Sequence, residues 1–241
     1  MDHQLKQLQD WISESRHIVF FGGAGVSTES GIPDFRSVDG LYRQQYAFPP
    51  ETILSHSFFE RNPEEFYRFY RSKMLFPQAR PNAAHWKLAE LEAAEKLTAV
   101  VTQNIDGLHQ AAGSKTVYEL HGSVHRNHCM KCRRFYGLDF LLETGGVPRC
   151  PACGGVVKPD VVLYEECLDE TTMEGAVEAI AGADMLIIGG TSLAVYPAAG
   201  LIRYYRGNRL ALINKSATPY DREAGLVINA SLGEVLGAIR V

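Results

Sequence analysis

The chain has 241 residues, of which 46% are hydrophobic and 22% are charged, a balance typical of a soluble globular protein. Its formal net charge is −4, from 24 Lys and Arg residues against 28 Asp and Glu residues, and this balance disfavours a nucleic-acid partner. No apolar run approaches the roughly 20 residues that a membrane-spanning helix needs, so we expect no membrane partner.

The first residues predict an amphipathic helix. Leu5, Leu8, Trp11 and Ile12 recur at helical spacing, with polar residues between them. The segment lacks the continuous apolar stretch of a secretory signal peptide. We therefore predict a cytoplasmic protein, in which disulfides are not expected to persist.

Six short apolar runs predict buried strands, because strands covered on both faces are continuously rich in Val, Ile and Leu. These runs begin at His17, Thr98, Thr116, Ala183, Arg209 and Gly225. Helical patterns lie between many of them, including the stretches that start at Pro81 and Asp169. This alternation predicts an α/β fold with a doubly wound parallel sheet. Ligands of such sheets bind beyond the carboxyl ends of the strands, and the small and polar residues found there favour a large polar ligand.

Two segments interrupt the alternation. The aromatic-rich stretch at about 38–81 predicts an inserted helical layer, or a mobile loop followed by helices. The stretch at about 125–159 holds four of the five cysteines and predicts a separate small module.

The four clustered cysteines form two C-x-x-C pairs, Cys129 with Cys132 and Cys150 with Cys153. Two such pairs at this separation are typical of a zinc ribbon, in which four thiolates bind the metal tetrahedrally. A redox C-x-x-C or coincidental core cysteines are the alternatives. Four cysteine ligands leave no open position, so the zinc would be structural. Cys167 lies outside the set, and we expect it to be a small packed residue.

A glycine-rich turn follows the first predicted strand. Gly22, Gly23 and Gly25 precede a helical-looking stretch at 27–30, and main-chain N–H groups at such a turn can bind a pyrophosphate. Thr28 stands where the third glycine of G-x-G-x-x-G belongs, and the next clear strand starts only near Thr98. The pattern therefore disfavours a conventional hydride-transferring dehydrogenase.

Several longer motifs occur in a fixed order, and together they closely resemble the sirtuin family. They are GAGVSTESGIPDFR from Gly23, TQNIDGLH from Thr102, ELHGS from Glu119, the four cysteines, KPDVV from Lys158 and GTSLAVYPAA from Gly190. The resemblance covers about residues 15–235 and is that of a minimal bacterial sirtuin. It implies a Rossmann-like NAD-binding large domain (1–37, 82–124 and 165–241). It also implies a small domain formed by the helical insert (38–81) and the zinc-ribbon module (125–164).

The activity implied by the resemblance is NAD-dependent protein-lysine deacetylation. NAD would be consumed as a co-substrate: the acyl group is transferred to ADP-ribose and nicotinamide is released. One structural Zn²⁺ per chain is implied as well. The loop at 38–50 is expected to close when NAD binds.

The resemblance also implies the site residues. His121 would be the general base, since imidazole titrates near neutral pH and this residue directly follows an apolar strand. Asn104 would share the catalytic site, and Ile105 and Asp106 would hold the nicotinamide carboxamide. The implied NAD contacts are Ala24, Thr28, Phe35, Arg36, Gln103, Asn104, Ile105, Asp106, Thr191, Ser192, Asn214 and Ser231. By contrast, we expect His85 and His109 to serve packing or local hydrogen bonds.

The substrate is expected to be an acetylated protein lysine, bound as an extended peptide beside 160–164 and the loop near Val195. Val162 and Tyr164 would line the acyl-lysine tunnel. The family commonly has phenylalanine and glycine where this chain has Tyr164 and Glu165. Members that prefer succinyl or malonyl groups carry Tyr-x-x-Arg in the insert, and here Tyr70 fills the Arg position. Neutral acyl groups, acetyl first, are therefore favoured.

Three other functions compete with this interpretation. A mono-ADP-ribosyltransferase would use the same NAD site with a different nucleophile. A non-catalytic NAD-binding module would use the zinc ribbon as a partner surface. A nucleic-acid-binding ribbon would use Lys131, Arg133 and Arg134, but the acidic overall charge argues against it.

Overall fold

The computed structural model describes residues 2–34 and 48–241. Its strands are β1 (Ile18–Gly22), β2 (Leu97–Thr102), β3 (Val117–Glu119), β4 (Asn127–Cys129), β5 (Phe135–Tyr136), β6 (Val157–Pro159), β7 (Met185–Gly189), β8 (Arg209–Ile213) and β9 (Leu226–Ile228). Strands β3, β2, β1, β7, β8 and β9 form, in that order, one parallel sheet. The six predicted strands are thus confirmed. The order reverses at β1, which lies between β2 and β7, and this is the switch point at which α/β sheets bind ligands.

The helices are α1 (Asp2–Glu14), α2 (Pro50–Ile53), α3 (His56–Arg61), α4 (Pro63–Lys73), α5 (Ala83–Ala93), α6 (Leu108–Ala111), α7 (Leu138–Glu143), α8 (Glu170–Gly182) and α9 (Leu232–Gly237). Short 3₁₀ helices occupy Ala24–Val26, Thr28–Ser30 and Ala198–Tyr204. The predicted N-terminal helix is confirmed as α1, and the patterns from Pro81 and Asp169 are α5 and α8. Local sequence explains the last two starts, since the side chains of Asn82 and Asp169 each accept a main-chain N–H of the first turn.

Helices cover both faces of the large sheet. All five residues of β1 and of β7 are buried, as their continuous apolar sequences require. Side chains of α1, α5 and α9 form the core on one face, whereas α8 and Ala198–Tyr204 form it on the other. The sheet is therefore doubly wound. Because helices cover both of its faces, a ligand can reach the sheet only at the strand ends.

The helical insert and the cysteine-rich segment share one further core. Strands β5, β4 and β6 form a small antiparallel sheet. Phe66, Tyr67 and Tyr70 of α4 are fully buried and pack in one cluster with residues of this segment such as Leu141 and Val157. The Tyr67 hydroxyl donates a hydrogen bond to the Val157 carbonyl. The aromatic richness of the insert thus builds a core, and the insert and the cysteine-rich segment pack as one layer. None of the described helices combines the length and the apolar character needed to cross a bilayer.

Candidate active site

A cleft of about 1390 Å³ opens at the carboxyl ends of the large sheet, between this sheet and the insert with the cysteine-rich segment. Every predicted site residue that the structure describes, apart from the cysteines, lines it. These residues are Ala24, Thr28, Gln103, Asn104, Ile105, Asp106, His121, Val162, Tyr164, Thr191, Ser192, Val195, Asn214 and Ser231. Phe35 and Arg36 lie outside the described residues. Residues from seven separate stretches of the chain therefore meet at one cleft.

The glycines after β1 allow two turns to touch. The Gly25 N–H donates to the Gly190 carbonyl over 2.8 Å, and a Cβ on Gly25 would lie 2.8 Å from the Gly190 Cα. The stretch at 27–30 is not the helix that the sequence suggested, because a 3₁₀ turn over Thr28–Ser30 ends at Gly31, where φ is 84°. The Glu29 carboxylate instead accepts the Gly233 N–H at the start of α9. An α-helix N-terminus is thus not available to phosphate here, and only turn N–H groups are.

Ser27 connects two of the predicted residues. Its hydroxyl donates to Asp106 Oδ2 over 2.7 Å and accepts from Asn104 Nδ2 over 3.1 Å. The other carboxylate oxygen of Asp106 accepts the Leu108 N–H. An ionised carboxylate offers about four acceptor positions, so Asp106 can still accept from a ligand amide. Ser27 was not among the residues predicted from the sequence, although its position directly before Thr28, in the turn at the strand end, was a signal.

His121 is held in one tautomer. Its Nδ1 lies 3.0 Å from the main-chain oxygen of Gln103, and since a carbonyl can only accept, Nδ1 carries the proton. The neutral ring then has an unprotonated Nε2. Burial lowers the pKa of His121, although the hydrogen bond that Nδ1 donates to the Gln103 carbonyl acts in the opposite direction. At neutral pH the ring is therefore available as a base.

The other predicted polar residues make contacts within the protein at different strand ends. The Gln103 amide donates to the Thr191 hydroxyl over 3.1 Å, which joins the ends of β2 and β7 across β1. Asn214 donates to the Ser216 carbonyl within its own turn. Ser231 is the N-cap residue of α9, and its hydroxyl lies 3.4 Å from a Glu234 carboxylate oxygen. Gln103 and Thr191 thus form one polar surface at the switch point, and Asn214 and Ser231 lie on the later strand ends.

The predicted peptide-binding segment lies against the His121 loop. The Val162 N–H donates to the His121 carbonyl over 3.0 Å. The Asp160 carbonyl sits over Gly122, where φ is 73° and a Cβ would come within 1.9 Å of that oxygen. Only glycine fits at this position, which explains the residue that follows the candidate base. The segment and the base are therefore held in fixed relation.

The four cysteines converge as predicted. Their sulfur atoms all lie within 4.8 Å of one another, with Cys129 and Cys153 at 3.4 Å and Cys132 and Cys150 at 3.6 Å. Tetrahedral zinc at about 2.3 Å from each sulfur separates neighbouring sulfurs by about 3.8 Å. The four thiolates thus fit one structural Zn²⁺ and leave no position for a substrate.

Two lesser predictions have different outcomes. Cys167 is exposed, so the prediction of a packed cysteine is wrong; it lies in the loop between residues 160–164 and α8. His85 accepts the Asn82 N–H and packs 4.8 Å from the ring of His109, as predicted. Both rings are buried, and neither ring nitrogen of His109 has a partner among the described residues.

Comparison with known proteins decides the family. Residues 23–197, more than half of the chain, match the sequence model of the Sir2 family. The chain belongs to the Sir2 family. The resemblance to sirtuins predicted from the motifs is thereby confirmed.

Curated Sir2 relatives match this chain over almost its full length. An NAD-dependent protein deacetylase of Clostridium perfringens is 62% identical and covers 99% of both chains. Another from Clostridium acetobutylicum is 59% identical and covers 98% of both. A solved structure of a histidine-to-alanine Sir2 variant with a deacetylated p53 peptide and 3′-O-acetyl-ADP-ribose has a TM-score of 0.88. It is 40% identical and covers 96% of this chain and 95% of its own.

Proposed function

We propose that this Sir2 chain is an NAD-dependent protein-lysine deacetylase, which transfers the acyl group to ADP-ribose and releases nicotinamide. One observation carries the proposal. The described residues that are predicted to contact NAD line the same cleft as His121, and the predicted peptide-binding segment donates a main-chain hydrogen bond to the His121 carbonyl. The deacetylase names of the full-length relatives support it. Peptide, NAD and base would then meet at one point.

His121 is the proposed base. In the reaction, the acyl oxygen of the substrate replaces nicotinamide on the ribose, and a ribose hydroxyl must then lose its proton. The Nδ1 hydrogen bond to Gln103 leaves Nε2 to accept that proton, and the lowered pKa keeps Nε2 free at neutral pH. This role needs no further side chain to orient the ring.

Asp106 and Asn104 are proposed to orient NAD. Ser27 fixes both side chains from the glycine-rich turn, so they are positioned before a ligand arrives. The remaining acceptor positions of Asp106 would take the NH₂ group of nicotinamide, and Asn104 would contact the adjoining ribose. Because an amide oxygen is a weak nucleophile, such prior orientation must supply much of the rate. The other described cofactor residues are proposed to hold the rest of NAD.

We propose the same division into domains that the motifs imply. The large sheet would bind NAD, and the insert with the zinc-ribbon module would form the small domain across the cleft. The core shared by α4 and the zinc-ribbon module supports this division. The cytoplasmic location stays a prediction from the sequence.

Neutral acyl groups are the proposed substrates. Tyr70 is fully buried in the insert core, stacked on Phe66, and does not line the cleft. Arg68 pairs with Glu65, and Arg71 donates to the carbonyls of Leu141 and Gly146. Neither arginine faces an acyl carboxylate, although Lys73 and Arg80 line the insert side of the cleft. A solved Sir2 relative binds a propionylated peptide, which is also neutral.

Mass spectrometry tests the function directly. The purified protein is incubated with acetyl-, propionyl- or succinyl-lysine peptide, with and without NAD. We expect loss of the acetyl group together with nicotinamide and O-acetyl-ADP-ribose, less product from the succinyl peptide, and no product without NAD. His121→Ala should abolish turnover, and the exposed His17→Ala is the matched control. An intact acetyl group beside an ADP-ribosylated protein would instead identify a transferase, and no reaction with any peptide would indicate a non-catalytic NAD module.

A further inference from the structure

Glu165 has an unusual backbone conformation at the edge of the cleft. Its φ is 76°, in the left-handed region that side chains other than glycine rarely adopt. Glycine would adopt this conformation without steric cost. Glu165 and its neighbours Val162 and Tyr164 all line the cleft. Contacts of the Glu165 side chain must therefore stabilise this backbone conformation.

Those contacts come from the first turn of α3. The Glu165 carboxylate accepts the Ser57 N–H over 2.8 Å and the Ser57 hydroxyl over 3.0 Å. Ser55 accepts the N–H of Phe58, the next residue of that turn. Arg61 donates to the Ser57 hydroxyl and carbonyl, which places a cation beside the pair. Two N–H groups that a helix start leaves without a partner are thus satisfied, one of them by a residue 108 positions away.

Residues at and just before the start of α3 also bind the residues on either side of Glu165. The Tyr164 N–H donates to Leu54, and the Tyr164 carbonyl accepts the His56 N–H. Glu166 accepts from the Leu163 N–H and from Lys158, and it pairs with His56. The main chain of 163–164 is therefore occupied on the α3 side.

Three main-chain groups of this stretch have no hydrogen bond among the described residues: the Val162 carbonyl, the Glu165 N–H and the Glu165 carbonyl. Main-chain groups of this kind are what an extended peptide pairs with. Because Glu165 is fixed by its side chain, the direction of its two main-chain groups is fixed as well. A glycine at 165 would leave both groups free to rotate.

From this geometry we infer that Glu165 is a positioning residue for the acyl-lysine peptide, acting through its contact with Ser57 and not through contact with the peptide. The inference rests on the proposed function, because the ligand of this edge is the proposed substrate. The carboxylate holds the main chain of residue 165 in the conformation that pairs with the peptide, so less freedom is lost on binding.

Steady-state kinetics on acetyl-lysine peptides tests the inference. Glu165→Gly and Glu165→Ala should each raise the peptide KM by roughly three- to tenfold. We expect a smaller change in kcat and no change in the NAD KM. Glu165→Gln retains an oxygen that accepts from Ser57, and it should restore most of the peptide affinity. Ser57→Ala removes one of the two hydrogen bonds and should lie between wild type and Glu165→Ala.

Glu95 supplies the matched control. It is also a glutamate at positive φ, 57°, but it is exposed at the end of α5 and does not line the cleft. Glu95→Gly makes the same chemical change and should leave both KM values unaltered. Peptide binding without NAD, measured by fluorescence anisotropy, separates affinity from turnover.

Three outcomes would overturn the inference. A peptide KM of Glu165→Gly within twofold of wild type would remove the positioning role. An equal rise in both KM values with a lower melting temperature would show a merely structural contact. If Glu165→Gln binds the peptide as poorly as Glu165→Ala does, the negative charge of Glu165 would be what the peptide requires, and not its contact with Ser57. A wild-type protein that does not deacetylate any peptide would instead contradict the proposed function.

Discussion

His121 and Gln103 are joined by a hydrogen bond of 3.0 Å between the imidazole Nδ1 and the main-chain oxygen. As the proposed base, His121 must be neutral to act, and it is neutral above its pKa. Because burial lowers this pKa below the ordinary value of 6.5, the base stays available at pH 6.5. We therefore expect the acid-side fall of kcat/KM to lie below pH 6.5.

The profile is measured with acetyl peptide from about pH 5 to pH 8, and circular dichroism checks folding at each pH. The residual activity of His121→Asn should not show this acid-side fall of kcat/KM. An acid limb centred above pH 7 would contradict the assignment of His121 as the titrating base.

The buried pair His85 and His109 predicts loss of stability in acid. Burial lowers the pKa of His85 to about 4, and burial together with the neighbouring His85 lowers that of His109 to about 3. The unfolded chain binds these protons below its ordinary pKa of 6.5, whereas the folded chain excludes them. The free energy of unfolding should therefore fall as pH decreases from 6.5 towards 4.

Urea unfolding at pH 7.5 and pH 5 measures this effect. His109→Leu removes one titrating ring and no hydrogen bond among the described residues, so the loss between the two pH values should be smaller. His3→Leu, at an exposed position, should leave the pH dependence unchanged. Equal losses in wild type and His109→Leu would show that the pair does not control acid stability.

The cysteine cluster predicts that metal and small-domain stability are linked. Cys150→Ser replaces one of four thiolates and should weaken zinc binding by more than about 100-fold. Elemental analysis should then find less than one zinc per chain, with a lower melting temperature. Cys167→Ser, at the exposed cysteine outside the cluster, should retain one zinc per chain. Full zinc content in Cys150→Ser would contradict the ligand set.

The contacts of Arg126 predict a coupling between the large sheet and the proposed peptide-binding segment, residues 160–164. Arg126 donates to Glu119 at the end of β3 over 2.6 Å and to Asp160 over 2.7 Å. Arg126→Met leaves the nearly buried Glu119 carboxylate without its cation and should cost about 1–3 kcal/mol. The double variant with Glu119→Gln should lose less than the two single losses combined.

Urea unfolding measures these differences, and the exposed Arg16→Met should stay within about 0.5 kcal/mol of wild type. Strict additivity of the two changes would contradict a direct ion pair.

The sequence predicted the parts of the molecule whose signal is local. Continuous apolar runs such as Ile18–Gly22 and Met185–Gly189 identified the buried strands, and the spacing of the four cysteines identified their cluster. The motifs supplied the cleft residues, and the described ones lie together. These predictions succeeded because burial on both faces and metal ligation each restrict residue type strongly.

What the sequence missed depends on contacts between distant segments. Ser27 acquires its role only when β1 and β2 bring it to Asp106 and Asn104. The stretch at 27–30 was expected to be helical, but the Glu29 carboxylate accepts the distant Gly233 N–H and the turn is 3₁₀. Cys167 was expected to pack because cysteine is usually buried, yet its loop runs over the surface. No local pattern contains these pairings.

The order of strands in the large sheet has a consequence for synthesis on the ribosome. β1 is made early, but one of its two neighbours is β7, paired from Ile18 with Met185 to Gly22 with Gly189. Until residue 189 has left the exit tunnel, one edge of this apolar strand has no native partner, and such an edge favours wrong pairing. The glycine-rich turn also lacks its Gly190 contact until then. Nascent chains that stall before this point should depend on chaperones, and none of them can assemble the cleft.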